Sequence, residues 1–499
     1  MLTRRQMIER GGIGVVLTAG VLGAARTLTR SSPNLSSDEK LPILSADVAT
    51  VKIRIATSIV ELGKDTAIST KTYNGQFPGP LIRFSEGKSA VVEIHNDTDI
   101  DEQLHWHGQY LGTDIDGASE EGTPFIPAHG KRRIAFLPKP AGFRYYHTHM
   151  TAGVDLEMGL YNGQAGPVYI DPKHNRGAYD REIFLTLKEF GPYLNHMEMG
   201  SGFLLPKEKV SELYDLDQIA VNEARRLHLD PGFELAYNFF TINGRMLGEG
   251  DPIRVKQGER VLFHLLNASA TEIRSLALPG HVFTVIALDG NPVPRPATVS
   301  VLYLAPAERI CAIVEMTTPG VWVLGDLDDD ARTQGMGIVV EYASQSGEPQ
   351  WETPAPSYWD YRAFALPGAV AQVPDDTIEM TFGTRYASKY GFNEFTINGK
   401  AFSMTEMEPK FHLTFGRRYR LKMRNATDDV HPIHLHRHSF EITSVAGMPT
   451  AGVIKDVAMI GGFQEMTVDF TADQRGLSLF HCHMQSHMDF GFMALFVCD

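Results

Sequence analysis

From residue 45 onward the apolar positions alternate with polar ones or gather in short β-branched runs. Stretches 51–55, 89–94, 260–265 and 467–470 are examples, and Gly, Pro and Asn interrupt them. An alternation of period two predicts half-buried strands, and many short strands between turn residues predict β-sandwiches. Only residues 211–226 carry a pattern compatible with a short helix. The expected fold class is all-β.

The pattern recurs three times. Asn-Gly pairs stand at Asn74-Gly75, Asn243-Gly244 and Asn398-Gly399. Gly87, Gly258 and Gly416 each open a stretch that ends nine residues later at Asn96, Asn267 and Asn425, followed by Thr98, Ser269 and Thr427. Such self-similarity marks three related units, 45–175, 176–348 and 349–499. At matched positions the outer units have His105, His107, His147 and His149, and His434, His436, His481 and His483, where the middle unit has Leu276, Leu278, Gly325 and Leu327. If the outer units pack together, one site can form between them.

A chain of 499 residues exceeds what one compact core organises, which agrees with several units. With 43% hydrophobic and 21% charged residues it has the balance of a globular protein, and a net charge of −14 argues against nucleic acid or anionic membrane as partners. Three cysteines, Cys311, Cys482 and Cys498, exclude a disulfide framework. Cys311 reads as a core residue, and Cys498 has no assigned role. At the N-terminus Arg4 and Arg5 precede an apolar stretch, 11–25, that is short for a membrane span and suits a signal peptide. Thr3, Arg4, Arg5, Met7 and Ile8 together resemble a twin-arginine export signal. A short N-terminal anchor is the alternative. Residues 1–44 are thus expected to be signal and linker, and the protein periplasmic or otherwise exported, without stable membrane insertion afterwards.

Four histidine motifs carry the chemistry: His105-Trp106-His107-Gly108, His147-Thr148-His149, His431-Pro432-Ile433-His434-Leu435-His436, and His481-Cys482-His483-Met484-Gln485-Ser486-His487. In a strand, residues i and i+2 share a face, so each His-x-His offers two imidazoles in one direction and Cys482 points opposite to its neighbours. One such pair is weak evidence. Ten histidines and one cysteine ordered along two repeats imply several metal ions, and imidazole with thiolate favours copper, with zinc formally open.

These motifs, in this order, resemble those of the multicopper oxidase family, which includes laccases, bilirubin oxidase and bacterial metallo-oxidases. The resemblance covers nearly the whole chain after the N-terminal segment. It implies three cupredoxin-like Greek-key β-sandwich domains with the boundaries above, four copper ions, dioxygen as acceptor and a small-molecule electron donor. By motif position, His431, Cys482 and His487 would bind a type 1 copper, and His105 and His434 a type 2 copper. His107, His147, His149, His436, His481 and His483 would bind a type 3 pair. Electrons would pass from Cys482 through the adjoining backbone to His481 and His483.

Where many bacterial relatives have an axial methionine, this chain has Phe492, with Met493 next. Strand alternation turns Met493 away if Phe492 faces the metal, so a non-coordinating axial position and a relatively high potential are expected; a one-residue bulge would exchange the two. Asp116, in Asp116-Gly117, resembles the family's proton-relay acid, although an Asp-Gly turn is common. Met488 stands where bacterial members often have a Glu. The pairs Met197 and Met199, Met404 and Met407, and Met484 and Met488 read as packing rather than as a cuprous channel. The leading function is a laccase-type oxidation of phenols or aromatic amines. A metallo-oxidase of Cu(I), Fe(II) or Mn(II) is the alternative, kept open by Asp428, Asp429 and Met488. A copper nitrite reductase needs fewer histidines, and a copper-free structural or binding relative would lack the complete ligand set.

Overall fold

A computed structural model describes residues 49–173, 178–196, 232–355 and 357–499. The expected signal and linker, the helix at 211–226, and Met197 and Met199 lie outside the described residues. Strands dominate the rest, and the α-helices among the described residues are the short Asp329–Thr333 and Gln485–Asp489. No described helix is long and apolar enough to cross a membrane.

The three repeats are built alike. In each, the first strand runs parallel to the strand that ends at the marker asparagine: Ala49–Gly63 with Ala90–Asn96, Arg181–His196 with Arg260–Asn267, and Asp376–Lys389 with Arg418–Asn425. The three Asn-Gly pairs have positive φ at both residues, as a type I′ hairpin turn requires. Each turn asparagine then ties its hairpin to the first strand. Asn74 Oδ1 accepts from Arg54 N at 2.6 Å, Asn243 from Thr186 N and Asn398 from Thr381 N, both at 2.8 Å.

The second marker is equally physical. Asn96, Asn267 and Asn425 are buried, and a buried amide must find partners. Each Oδ1 accepts the backbone N–H two residues on at 3.0 Å, and each Nδ2 donates to a distant backbone carbonyl, of Ile126, Leu304 and Gly461 respectively. The repetition seen along the sequence is therefore a repeated hydrogen-bonding device.

Five sheets result. One of twelve strands runs from the middle repeat into the last, joined where Phe233 pairs with Phe392. Two smaller sheets carry the histidine motifs. The first contains Ile82–Ser85, Ala165–Asp171, Gly142–His147 and His105–His107. The second contains Lys410–Leu413, Met493–Cys498, Gly476–Cys482, His431–Leu435 and Val457–Ile460. Between the first and middle repeats, Phe143, Tyr145, Leu262 and Leu266 share an apolar cluster with Val457 of the last repeat.

Candidate metal centre

Strand His431–Leu435 lies antiparallel to Gly476–Cys482, with Ile433 opposite Cys482 and His434 opposite His481. Opposed side chains share a face, and neighbours along a strand alternate. His431 and Cys482 therefore stand on one face, His434 and His481 on the other. One pair of strands separates two sites.

On the first face Cys482 Sγ is 3.5 Å from His487 Nδ1 and 3.7 Å from His431 Nδ1, and those two nitrogens are 3.1 Å apart. His487 comes from helix Gln485–Asp489. The Thr427 hydroxyl donates to Asn425 Oδ1, so it accepts from His431 Nε2 at 2.7 Å and leaves Nδ1 turned to the thiol. Phe395 stacks on His487 at 4.0 Å, and Phe492 meets the His431 ring edge-on at 4.8 Å. Met493 stands opposite His481, on the far face, packed with Leu479, Met488 and Leu495. The pairing of Gly476–Cys482 with Met493–Cys498 runs without a bulge as far as His481 and Met493, and Phe492 lies just before it with its ring against that of His431.

On the second face eight histidines converge. His107 stacks on His434 at 3.8 Å and His105 on His436 at 4.1 Å, so the first and last repeats interleave. His107, His147 and His483 bring nitrogens within 4.8 Å of one another, as do His149, His436 and His481, and His105, His107 and His434. Of the His-x-His pairs, His105–His107 is a strand of its own, whereas His149, His436 and His483 fall just beyond their strand ends. The pairs His147–His149 and His481–His483 divide between two of these groups. The ring centroids within these pairs lie 6.2 and 5.4 Å apart, which suits two neighbouring ions.

The rings are oriented by what takes their N–H. His105, His147, His434 and His481 each donate from Nδ1 to a backbone carbonyl, of Asp116, Thr148, Asp456 and Cys482, at 2.7–2.8 Å. His436 donates from Nδ1 to Asp116 Oδ2 at 2.9 Å. That leaves Nε2 as an acceptor pointing inward. The Nε2 atoms of His105, His147 and His434 are buried and make no hydrogen bond within the protein, and His436 Nε2 lies 3.0 Å from His481 Nε2. Buried unpartnered acceptors in such number are costly unless a cation satisfies them. Burial, then the neighbouring imidazoles, hold His107, His147, His149, His436, His481 and His483 well below the usual histidine value. Neutral imidazoles are the form that binds metal. Burial pushes the Cys482 thiol up, the state that a coordinated cation reverses. The donor set therefore fits metal, and thiolate with imidazole fits copper.

Carboxylates ring this cluster. Asp116 Oδ2 lies 3.0 Å from His105 Nδ1 besides its bond to His436, and Asp116 is buried. Sequence reasoning missed Glu120 and Glu121. Glu121 Oε1 accepts from Leu479 N at 2.6 Å and lies 3.5 Å from His436 Nδ1, and Glu120 Oε2 lies 3.7 Å from His149 Nδ1. It also missed Tyr145, whose hydroxyl lies 3.0 Å from His483 Nε2, and Asp456. Tyr145 is within reach of strand periodicity, since it precedes His147 by two residues and shares its face. Cys311 is buried, as expected of a core thiol, with Sγ 3.2 Å from His264 Nδ1.

Beside His487 opens a cavity of about 460 Å³. Phe233, Phe392, Phe395 and Phe490 line it, together with Glu234, Glu272, Asp428, Asp429 and Met484. Burial, then Asp428, pushes Asp429 up to about 8, and burial raises Glu272 to about 7.

Three family models described as multicopper oxidase match residues 55–175, 210–340 and 372–499. The chain belongs to the multicopper oxidase family. It is an oxidoreductase that uses copper and dioxygen. This multicopper oxidase is 28% identical to multicopper oxidase MmcO of Mycobacterium tuberculosis, covering 97% of this chain and 95% of that protein. It is 24% identical to laccase-2 of Fomitopsis schrenkii, covering 84% of each. It is 26% identical to copper resistance protein A of Escherichia coli over 59% of this chain and 50% of that one. Among solved structures, Fet3p, a multicopper oxidase that functions in iron import, superposes with a TM-score of 0.72 at 17% identity, covering 91% of this chain and 90% of that one. The laccase from Botrytis aclada gives 0.67 at 20% identity, covering 90% of this chain and 87% of that one. These superpositions support the sandwich fold.

Proposed function

We propose that this oxidase is of laccase type and takes electrons one at a time from phenols or aromatic amines to reduce dioxygen to water. The observation that carries this reading is the cavity beside His487, walled by four phenylalanines against which an aromatic ring can stack. His431, Cys482 and His487 would hold the type 1 copper, and Phe492, whose ring lies against His431, would offer it no donor atom. His105 and His434 hold the type 2 copper. His107, His147, His149, His436, His481 and His483 hold the type 3 pair, for four copper ions in all. Copper supplies one-electron redox steps at both sites.

The residues do the rest. His487 lines the cavity and is the ring nearest a donor. The Cys482 carbonyl accepts the Nδ1–H of His481 at 2.8 Å, which makes a short connection between the two faces. Asp116 orients His105 and His436, and its Oδ1, which makes no hydrogen bond within the protein, is where a proton can be held for oxygen reduction. The apolar wall around Phe395 and Phe492 would keep water from the thiol and, offering no further donor atom, would favour a high potential.

A metallo-oxidase of Cu(I), Fe(II) or Mn(II) is the second reading, favoured by Glu234, Glu272, Asp428 and Asp429 in the same cavity. Steady-state kinetics of copper-loaded protein on phenols, aromatic amines and reduced metal ions separate the two. The laccase reading expects the larger kcat/KM for aromatic donors, and preference for a metal ion contradicts it. Three cupredoxin domains, divided near 175 and 348, and export through the twin-arginine-like segment at 1–44 complete the proposal.

A further inference from the structure

The middle repeat brings no histidine to the cluster, yet one of its side chains reaches the cluster wall. Arg309 opens the strand Arg309–Glu315 and is fully buried. Its guanidinium grips both carboxylate oxygens of Asp456, from Nη1 to Oδ1 at 2.7 Å and from Nη2 to Oδ2 at 2.6 Å. Arg144 of the first repeat donates to Oδ2 at 3.1 Å. Asp456 itself lies in the last repeat, between the strands Met448–Lys455 and Val457–Ile460. Its backbone is fixed by the middle repeat as well. The N–H groups of Asp456 and Val457 donate to Asp289 Oδ2 at 3.2 and 3.0 Å.

So anchored, Asp456 touches two histidines of the cluster. Its Oδ1 accepts from His107 Nε2 at 3.1 Å, and its carbonyl accepts from His434 Nδ1 at 2.7 Å. A neutral imidazole has one N–H, so the acceptor that takes it decides which nitrogen keeps the lone pair. At His434 the carbonyl leaves Nε2 free. At His107 the carboxylate reverses the ring, because Nε2 is engaged and the buried Nδ1 makes no hydrogen bond within the protein. One residue therefore sets opposite orientations in two stacked rings.

Gly108 shows how closely this contact is fitted. A Cβ there would lie 2.5 Å from Asp456 Oδ2 and 2.9 Å from Arg309 Nη2, and φ is +75°. The glycine that ends His-Trp-His-Gly leaves room for the carboxylate and its guanidinium.

We propose that Asp456 is a positioning residue for the histidine cluster, and that the middle repeat governs the cluster's geometry by holding Asp456 through Arg309. This rests on reading the cluster as a copper site. A buried carboxylate keeps its place only while its partners remain, and a bidentate guanidinium fixes its direction. Outer partners of this kind tune metal sites without touching the metal.

The test compares copper-loaded full-length protein with Asp456→Asn and Arg309→Lys. Three quantities are read: copper retained on dialysis against a chelator, near-ultraviolet absorption of the coupled copper pair relative to the blue band, and kcat. Asp456→Asn is expected to lose roughly 10–100-fold in copper affinity of the cluster or in kcat. Its near-ultraviolet absorption falls while the blue band stays, because Cys482 stands on the other face. Arg309→Lys keeps the charge but not the fork, and shifts the same quantities less. If Asp456→Asn does not accumulate as folded protein, Arg309→Lys decides. Unchanged copper retention and absorption ratio would overturn the proposal. So would loss of the blue band in step with the other, which marks a joint between repeats and nothing more. An unmutated protein that binds no copper defeats the underlying reading instead, so the two failures are distinct.

Discussion

The two faces of the strand pair His431–Leu435 and Gly476–Cys482 differ in everything except their backbone. On one, a cysteine and two histidines stand among Phe395 and Phe492 beside an open cavity. On the other, eight histidines are sealed from solvent and surrounded by Asp116, Glu120, Glu121 and Asp456. The apolar face suits an electron exchanged with a donor outside, with little reorganisation. The second face, with carboxylates directly against its imidazoles, suits a reaction that consumes protons as well as electrons. Because neighbours in a strand point to opposite faces, the chain joins these environments within a single residue step at Cys482.

Cys482→Ser separates the two faces most completely. Blue absorption and turnover are expected to vanish while copper analysis still finds metal in the histidine cluster, since no ligand on that face is altered. Loss of all copper would mean that the faces are not separable. Asp116→Asn cuts from the other side. Oxygen reduction is expected to slow about 100-fold, the usual contribution of a general acid, with the blue band intact; stopped-flow reoxidation by oxygen checks it.

Smaller effects concern the cavity on the apolar face. Glu272→Gln combined with Asp429→Asn is expected to lower kcat/KM for cationic donors about tenfold at low salt, through lost electrostatic steering, and to leave neutral phenols nearly unaffected. The same carboxyls give a pH signature. With Glu272 at about 7 and Asp429 at about 8, both gain negative charge as pH rises through that range, so cationic donors improve relative to neutral phenols from pH 6 to 9. A ratio independent of pH removes these acids from donor binding. Phe492→Met is expected to act least on turnover. It offers an axial thioether, lowers the potential of the blue site and shifts its absorption, measurable by redox titration.

Much of this is legible along the chain. The three Asn-Gly turns and the three marker asparagines repeat because each makes the same hydrogen bonds in its own unit, and local devices leave a local signature. The histidine pairs are legible for the same reason, since His-x-His spacing follows the strand repeat. What escapes is assembled from afar. Asp456 and Arg144 are 312 positions apart, and Asp456 and Arg309 are 147 apart. No window along the chain brings them together, and a single Asp or Arg in or beside a strand looks like any surface charge. Glu120 and Glu121 lie close to Asp116, but a pair of glutamates after a turn reads as solvated until burial is seen.

If the two faces act together, the protein is one electron store fed from one side and emptied on the other. Anaerobic reductive titration of the copper-loaded protein, followed at the blue band and then opened to oxygen, measures this. Four electrons taken up per chain are expected, with a blue band that returns on exposure to oxygen without release of peroxide. A blue site that accepts one electron, with the histidine cluster neither reduced through it nor reoxidised by oxygen, would contradict it.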